Sequence, residues 1–520
     1  MARVMPRTPG LPSGLPLASA LAAAACVGSL CLAQPPSAEA GPVVCTTTLE
    51  APMAGGAAAV GASGRQGPVE VTRCGPVTTT AISMIRSMAG LRPVISQSSQ
   101  TKFLSDLVRE GVISDMGGIV ADRLNYGLMN DTLFNPSGAF TLLFAVALIA
   151  NLLLKFWLAS RQIRHVARHR SAVPQAFSDS IALDAHQKAA DYTLTKARFG
   201  LLELAFGSAV LLGWTLLGGL DSLNQALANS ALAQWGPLAT QMALVAGFGL
   251  ISGALDLPFT LYSTFRIEER FGFNKMSLQL WLADLLKSTL VGMVIGLPIV
   301  ALILWLMNSA GPLWWLWAWA AWMGFNLLVL VLYPTVIAPI FNKFKPLEDD
   351  SLKARVTALM QRCGFAAKGL YVMDGSKRSA HANAYFTGFG AAKRVVFYDT
   401  LLKQLSPAEV DAVLAHELGH FKHKHIVKRI VGLFAMSLTG FALLGWLSAQ
   451  IWFYTGLGVR PSLAGGNDAL ALLLFMLAVP LFTFFISPLL ARLSRRHEFE
   501  ADAYAAMQTS GQALGSALTK

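Results

Sequence analysis

Seven stretches of the chain are apolar for long enough to cross a bilayer, and no other feature restricts the fold so strongly. They run over roughly residues 140–158, 200–218, 237–257, 288–307, 314–333, 430–454 and 469–490. At 1.5 Å of rise per residue, about 20 residues of helix cover a hydrocarbon core of about 30 Å. Inside that core every backbone N–H and C=O needs a partner within its own segment, so each run has to be helical. The chain is 54% hydrophobic and only 13% charged, against about 25% charged in an ordinary soluble domain. A purely water-soluble enzyme is excluded. The fold expected is predominantly α, a polytopic membrane protein with seven transmembrane helices.

The charge distribution orients those spans. Forty-one Lys and Arg against 29 Asp and Glu give a formal charge of +12, which in a soluble protein would suggest nucleic acid. No aromatic-basic platform or recognition motif accompanies it, so nucleic-acid binding is excluded. Instead the basic residues alternate between sides. Arg161, Arg164, Arg168, Arg170, Lys188, Lys196 and Arg198 follow the first run; Arg266, Arg270, Lys275 and Lys287 follow the third; Arg492, Arg495 and Arg496 follow the seventh. The connections 218–236 and 308–313 have no Lys or Arg, and 456–468 has only Arg460. Basic loops stay in the cytoplasm. The N-terminus is therefore expected to be extracytoplasmic, with the C-terminus cytoplasmic and the basic loops against the anionic headgroups of the lipid bilayer.

Residues 1–40 carry Arg3 and Arg7, an Ala/Leu-rich run from Leu17 to Ala33 and the small-residue site Ala38-Glu39-Ala40, the layout of a secretory signal peptide. An Ala-rich extension broken by prolines is the alternative. Residues 41–118 read as a low-complexity extracytoplasmic segment, in which Cys45 and Cys74 could pair in an oxidising compartment. The five cysteines show no CxxC spacing, which argues against a thiolate metal site. Beyond this extension, residues 119–337 form a membrane domain with spans one to five, 338–428 a catalytic segment on the cytoplasmic side, and 429–520 spans six and seven with a further metal ligand. Glu203 and Asn326 within spans are read as interfacial or single interhelical hydrogen-bonding groups, Lys155 as snorkelling to the surface, and Trp314, Trp315, Trp317, Trp319 and Trp322 as an interfacial belt.

The chemistry sits between spans five and six. Ser406-Pro407 followed by Glu409 is a capping box with proline at the first helical position, so a helix should begin at 407. That helix contains His416-Glu417-Leu418-Gly419-His420. Histidines four apart stand one turn apart on one face and can direct imidazole nitrogens at one Zn2+ ion per chain, with Glu417 beside them as general base. A catalytic zinc takes three protein ligands and keeps one position open. His423 and His425 lie within reach of the helix. Beyond span seven, Glu498 and Asp502 share one helix face, and Glu500 lies between them. Spacing alone leaves Glu498 and Glu500 both open as the third ligand.

Several runs together resemble the type I CAAX prenyl endopeptidases, membrane zinc metalloproteases with seven spans. They are Phe265 to Lys275 (FRIEERFGFNK), Phe341 to Leu347 (FNKFKPL), Asp374 to Arg378 (DGSKR), Asn383 to Gly388 (NAYFTG), His416 to His420 (HELGH) and Ser494 to Asp502 (SRRHEFEAD). The resemblance covers about residues 120–520. It implies that His416, His420 and Glu498 hold the zinc, that Glu417 is the base, and that Asp502 is either a proton donor or a group orienting a histidine ligand. His425 matches a recurring histidine of the family, whereas His423 does not. Asn383, Ala384, Tyr385 and Phe386 resemble the edge strand on which an extended substrate lies, and alternation there with the apolar run 395–398 suits a small β-sheet. Asn383 reads equally as a turn residue. The implied substrate is a prenylated or membrane-associated peptide or protein.

Two departures mark the chain. The family's pattern continues into a segment with a histidine and prolines that closes over the substrate site, whereas this sequence stops at Lys520, through truncation or absence of that segment. The N-terminal extension has no counterpart in the family. Two other functions share some of these features: a quality-control metalloprotease of broad specificity using the same site, and a transporter or receptor with a structural zinc. Charges inside the spans are too sparse to outline an ion path, and a structural site has no use for Glu417.

Overall fold

The computed structural model describes residues 135–520, apart from Ser180, Lys368, 388–393, Ala464 and Lys520. The expected signal peptide, the segment 41–118 and the Cys45–Cys74 pair lie outside the described residues.

Helices α1 (Pro136–His169), α2 (Leu183–Trp214), α3 (Pro237–Tyr262), α4 (Leu278–Ser309) and α5 (Trp314–Leu332) follow the first five apolar runs. The soluble segment then contributes α6 (Asp350–Arg362) and α7 (Pro407–Lys422). Next come α8 (His425–Leu447), α9 (Asp468–Thr483), α10 (Ser487–Gln508) and α11 (Gly511–Thr519). Seven helical segments among the described residues are long and apolar enough to cross a membrane. Local chemistry sets their starts. Asn135 accepts from the Ser137 amide with Pro136 at the first position of α1, and Ser277 accepts from Leu280 at the head of α4.

The sixth and seventh spans differ from the simple runs in the sequence. α8 stops at Leu447, and Ile451–Thr455 is a separate short helix. α9 ends in a tight turn at Phe484–Ile486 before α10 resumes at Ser487-Pro488, where proline suits the first helical turn. In the seventh span, 56% of the most apolar window is buried, against 28% or less in the others, so α9 is the central helix of the bundle. Arg460, the isolated basic residue of its side, is bonded through Nε (3.1 Å) and Nη2 (2.8 Å) to buried Asp221. Its charge is neutralised locally and the basic bias of the other side is undiluted.

The tryptophans differ from an interfacial belt. Trp314 and Trp322 are buried in the bundle core, Trp315 and Trp319 pack against it, and Trp319 Nε1 donates to Ser437 Oγ at 3.1 Å. A one-turn spacing puts these rings on the face of α5 that meets α8, and Gly445 of α8 lets the Trp315 ring approach. Only Trp317 is largely exposed among the five. Asn326 donates to the Trp322 carbonyl one turn earlier, at 2.7 Å.

The soluble segment is built on a four-stranded sheet: β1 (Phe344–Pro346), β2 (Gly369–Met373), β3 (Ala384–Thr387) and β4 (Arg394–Tyr398), in the order β1-β2-β4-β3. β2 and β4 are parallel, and the outer strands are antiparallel to their neighbours. Residues alternate between faces. Ala384, Val395 and Phe397 join the core formed with α6, α7 and α11, while Tyr385, Val396 and Met373 pack on the other face.

A buried junction ties this segment to the bundle. Arg378 forms a fork on Asp284 of α4 at 2.8 and 3.1 Å and donates to Asn342 Oδ1 at 3.0 Å. Asn274 bridges to Ser379, and Phe273 stacks on His381 at 4.4 Å. Widened π-type turns at Ser263–Glu268 and Tyr333–Ile337 lead from α3 and α5 into the two segments so joined.

Candidate metal centre

α7 begins at the expected position, with the Ser406 and Glu409 side chains each satisfying the other's backbone amide. Ser516 of α11 also donates to Glu409 at 2.6 Å, a link that gives the capping residue a second role. One turn from the end of α7, the helix meets α10 at Gly419. A Cβ there would stand 2.9 Å from Ala501 Cα and 3.1 Å from its carbonyl oxygen. Glycine alone lets the two backbones come this close, and the approach brings the carboxylates of α10 up to the histidines of α7.

His416, His420 and Glu498 converge. His416 Nε2 and His420 Nε2 are 3.2 Å apart, and Glu498 Oε2 lies 3.5 Å from the first and 3.6 Å from the second. Donors about 2.0–2.1 Å from a tetrahedral centre stand about 3.3 Å from one another, so the triangle has the size of a metal-ligand face. Glu498 Oε2 is buried with no hydrogen-bond partner, and such an atom is costly unless a cation meets it. Two imidazoles and a carboxylate are a donor set suited to zinc. The residues fit the group.

Their supports are equally specific. His416 Nδ1 is 2.8 Å from Asp502 Oδ1, and the ring is almost fully buried. Burial opposes its charged form, but the hydrogen bond with Asp502 and the Glu498 carboxylate 3.5 Å away prevail and raise its pKa to about 10. Around His420 the partners are His425 and, beyond it, Glu500. Glu417 is half-buried. Burial pushes its carboxyl above the usual carboxylate range, while His416 and His420 pull the other way.

Of the four residues expected along a substrate, Ala384, Tyr385 and Phe386 lie on β3, a terminal strand of the sheet, and Asn383 immediately precedes it. Their side chains are engaged elsewhere. Ala384 and Phe386 belong to the core over α7, Tyr385 to the opposite face, and Asn383 Oδ1 accepts from the Ala384 amide at 2.8 Å. What β3 has to offer a peptide is its backbone edge. Sequence reasoning passed over Gly419, Arg496 and the pairing of His425 with Glu500; a glycine inside an otherwise strong helix was the available signal for the first.

Known proteins place this arrangement. Residues 162–343 match the family model described as CAAX prenyl protease N-terminal, five membrane helices, and residues 346–519 match peptidase family M48. The CAAX prenyl protease 1 homolog of Arabidopsis thaliana is 33% identical over 367 residues, covering 67% of this chain and 82% of that protein. The chain belongs to the CAAX prenyl protease 1 branch of peptidase family M48. CAAX prenyl protease 1 of Saccharomyces cerevisiae is likewise 33% identical over 377 residues, covering 69% and 83% of the two chains. A crystal structure of S. mikatae Ste24p superposes with a TM-score of 0.68 at 30% identity, over 73% of this chain and 91% of that one. This member of the CAAX prenyl protease 1 branch is thus an integral, multi-pass membrane metalloprotease of the Ste24 type.

Proposed function

We propose that the protein is a zinc endopeptidase that cleaves prenylated peptides at the cytoplasmic face of the membrane, with one Zn2+ per chain held by His416, His420 and Glu498. The observation that carries this reading is the triangle of donor atoms at 3.2, 3.5 and 3.6 Å beside Glu417. Bound there, zinc would supply a Lewis acid for the scissile carbonyl and lower the pKa of water. Glu417 takes a proton from the attacking water and returns it to the leaving amine. Asp502 fixes the His416 ring through Nδ1, so the orienting role is favoured over proton donation. An extended substrate pairs with the outer edge of β3, which no other described strand covers.

The positive-inside pattern supports a cytoplasmic site and C-terminus with residues 41–118 outside, delivered by a signal peptide at residues 1–40. In this organisation residues 119–337 carry five spans, 338–428 the catalytic segment, and 429–520 two spans and Glu498. The names of the relatives support a prenylated substrate. The test uses the purified protein in lipid nanodiscs, with a farnesylated peptide and its unprenylated counterpart. Hydrolysis should cease on chelation, return with zinc, and favour the farnesylated peptide in kcat/KM. Equal rates would overturn the substrate assignment and support broad specificity; insensitivity to chelation would overturn the metal.

A further inference from the structure

The second histidine of the triangle is backed by a chain of hydrogen bonds that ends on a carboxylate. His420 Nδ1 lies 3.0 Å from His425 Nδ1, and His425 Nε2 lies 2.9 Å from Glu500 Oε2. The other oxygen, Glu500 Oε1, accepts from Arg496 Nε at 2.9 Å. His425 is buried and held flat against His497, with ring centroids 4.1 Å apart and planes 14° from parallel. Nothing in the proposed reaction requires this arrangement by itself.

The protons in it can be ordered from the far end. A carboxylate only accepts, so the His425 nitrogen facing Glu500 carries the hydrogen. In a neutral imidazole the other nitrogen is then bare, and His425 Nδ1 must accept. The donor facing it is His420 Nδ1–H, which leaves the lone pair of His420 on Nε2. That is the nitrogen 3.2 Å from His416 Nε2 and 3.6 Å from Glu498. We propose that His425 is a positioning residue through which Glu500 fixes the metal-binding tautomer and ring orientation of His420, as Asp502 does directly for His416. The two histidines thus have matching supports, one immediate and one relayed through an imidazole. Geometry explains the relay: Glu500 is two residues from both Glu498 and Asp502, about 200° around the helix, so its carboxylate cannot reach the same histidines.

This inference rests on the zinc reading above. It is tested by zinc dissociation constants from chelator competition and by the ligand-field spectrum of the cobalt-substituted protein. Loss of such a supporting partner typically weakens metal binding 10–100-fold. His425→Leu, which keeps bulk but neither accepts nor donates, should show that loss with an altered cobalt spectrum. His425→Asn, whose amide oxygen can accept from His420 Nδ1–H, should recover most of it. Glu500→Met removes the anchor from a partly exposed position and should weaken zinc in the same direction, with the same change in the cobalt spectrum. Wild-type zinc affinity and an unchanged cobalt spectrum in both His425→Leu and Glu500→Met would overturn the inference while leaving the zinc reading intact. Failure of the wild-type protein to bind one zinc would overturn both.

Discussion

Replacing Gly419 with alanine should loosen the site although the residue touches no reacting group. The added Cβ would lie 2.9 Å from Ala501 Cα, 3.1 Å from Ala501 O and 3.2 Å from Tyr504 Cβ. Carbon atoms pack at about 3.5–4.0 Å, so α7 and α10 must separate by about half an ångström or more. Two of the three atoms are backbone and the third is a Cβ, so no change of rotamer relieves the overlap. Overpacking of this kind costs about 1–3 kcal/mol, offset in part by the helix propensity of alanine, about 1 kcal/mol over glycine. The separation falls on Glu498 and Asp502, which flank Ala501 on α10. At 2.8 Å, the His416–Asp502 bond has little distance to give, and zinc affinity should fall by about 10-fold or more. The assay pairs zinc competition with thermal unfolding of the metal-free protein, using Gly515→Ala as control. Gly515 of α11 has no heavy atom within 4 Å of its would-be Cβ, so that variant keeps only the propensity gain. If Gly419→Ala binds zinc and unfolds like Gly515→Ala, the close-approach argument is wrong.

Two further outcomes follow from charge. Proton and metal compete for His416 Nε2, and in the metal-free protein the proton dissociates only near pH 10; zinc affinity should therefore rise about tenfold per pH unit between 7 and 9. Titration calorimetry at pH 7 in buffers of different ionisation enthalpy should show about one proton released from this group, and a pH-independent affinity would refute it. At the junction, Arg378→Ala strands buried Asp284 and should destabilise by about 3–5 kcal/mol. Adding Asp284→Asn should restore much of the loss in unfolding temperature; equal stability of the single variant and wild type would show that the fork does not hold the soluble segment to the bundle.

How far the sequence carried depended on whether each signal was local. The start of α7 was legible because Ser406, Pro407 and Glu409 act within one turn. The seven spans were legible because apolar length is itself the requirement. Choosing between Glu498 and Glu500 was different. Side chains two residues apart on a helix face nearly opposite ways, so which one meets His416 depends on the rotation of α10. That rotation is set by the contact of Ala501 and Tyr504 with Gly419 of α7, far away in sequence. The tryptophans of α5 misled because composition suggested an interface, whereas packing on Gly445 and Ser437 turns most of them inward. β1 escaped notice because a strand of three residues leaves too short a pattern to read.

The central claim is that Glu417 carries the proton at a zinc site that His416, His420 and Glu498 assemble without it. Glu417→Gln tests it most directly, with zinc content and hydrolysis of a farnesylated peptide measured on the same preparation. The account predicts one zinc per chain, as in wild type, and a fall in kcat of at least about 100-fold. Undiminished hydrolysis by the zinc-loaded variant would contradict it.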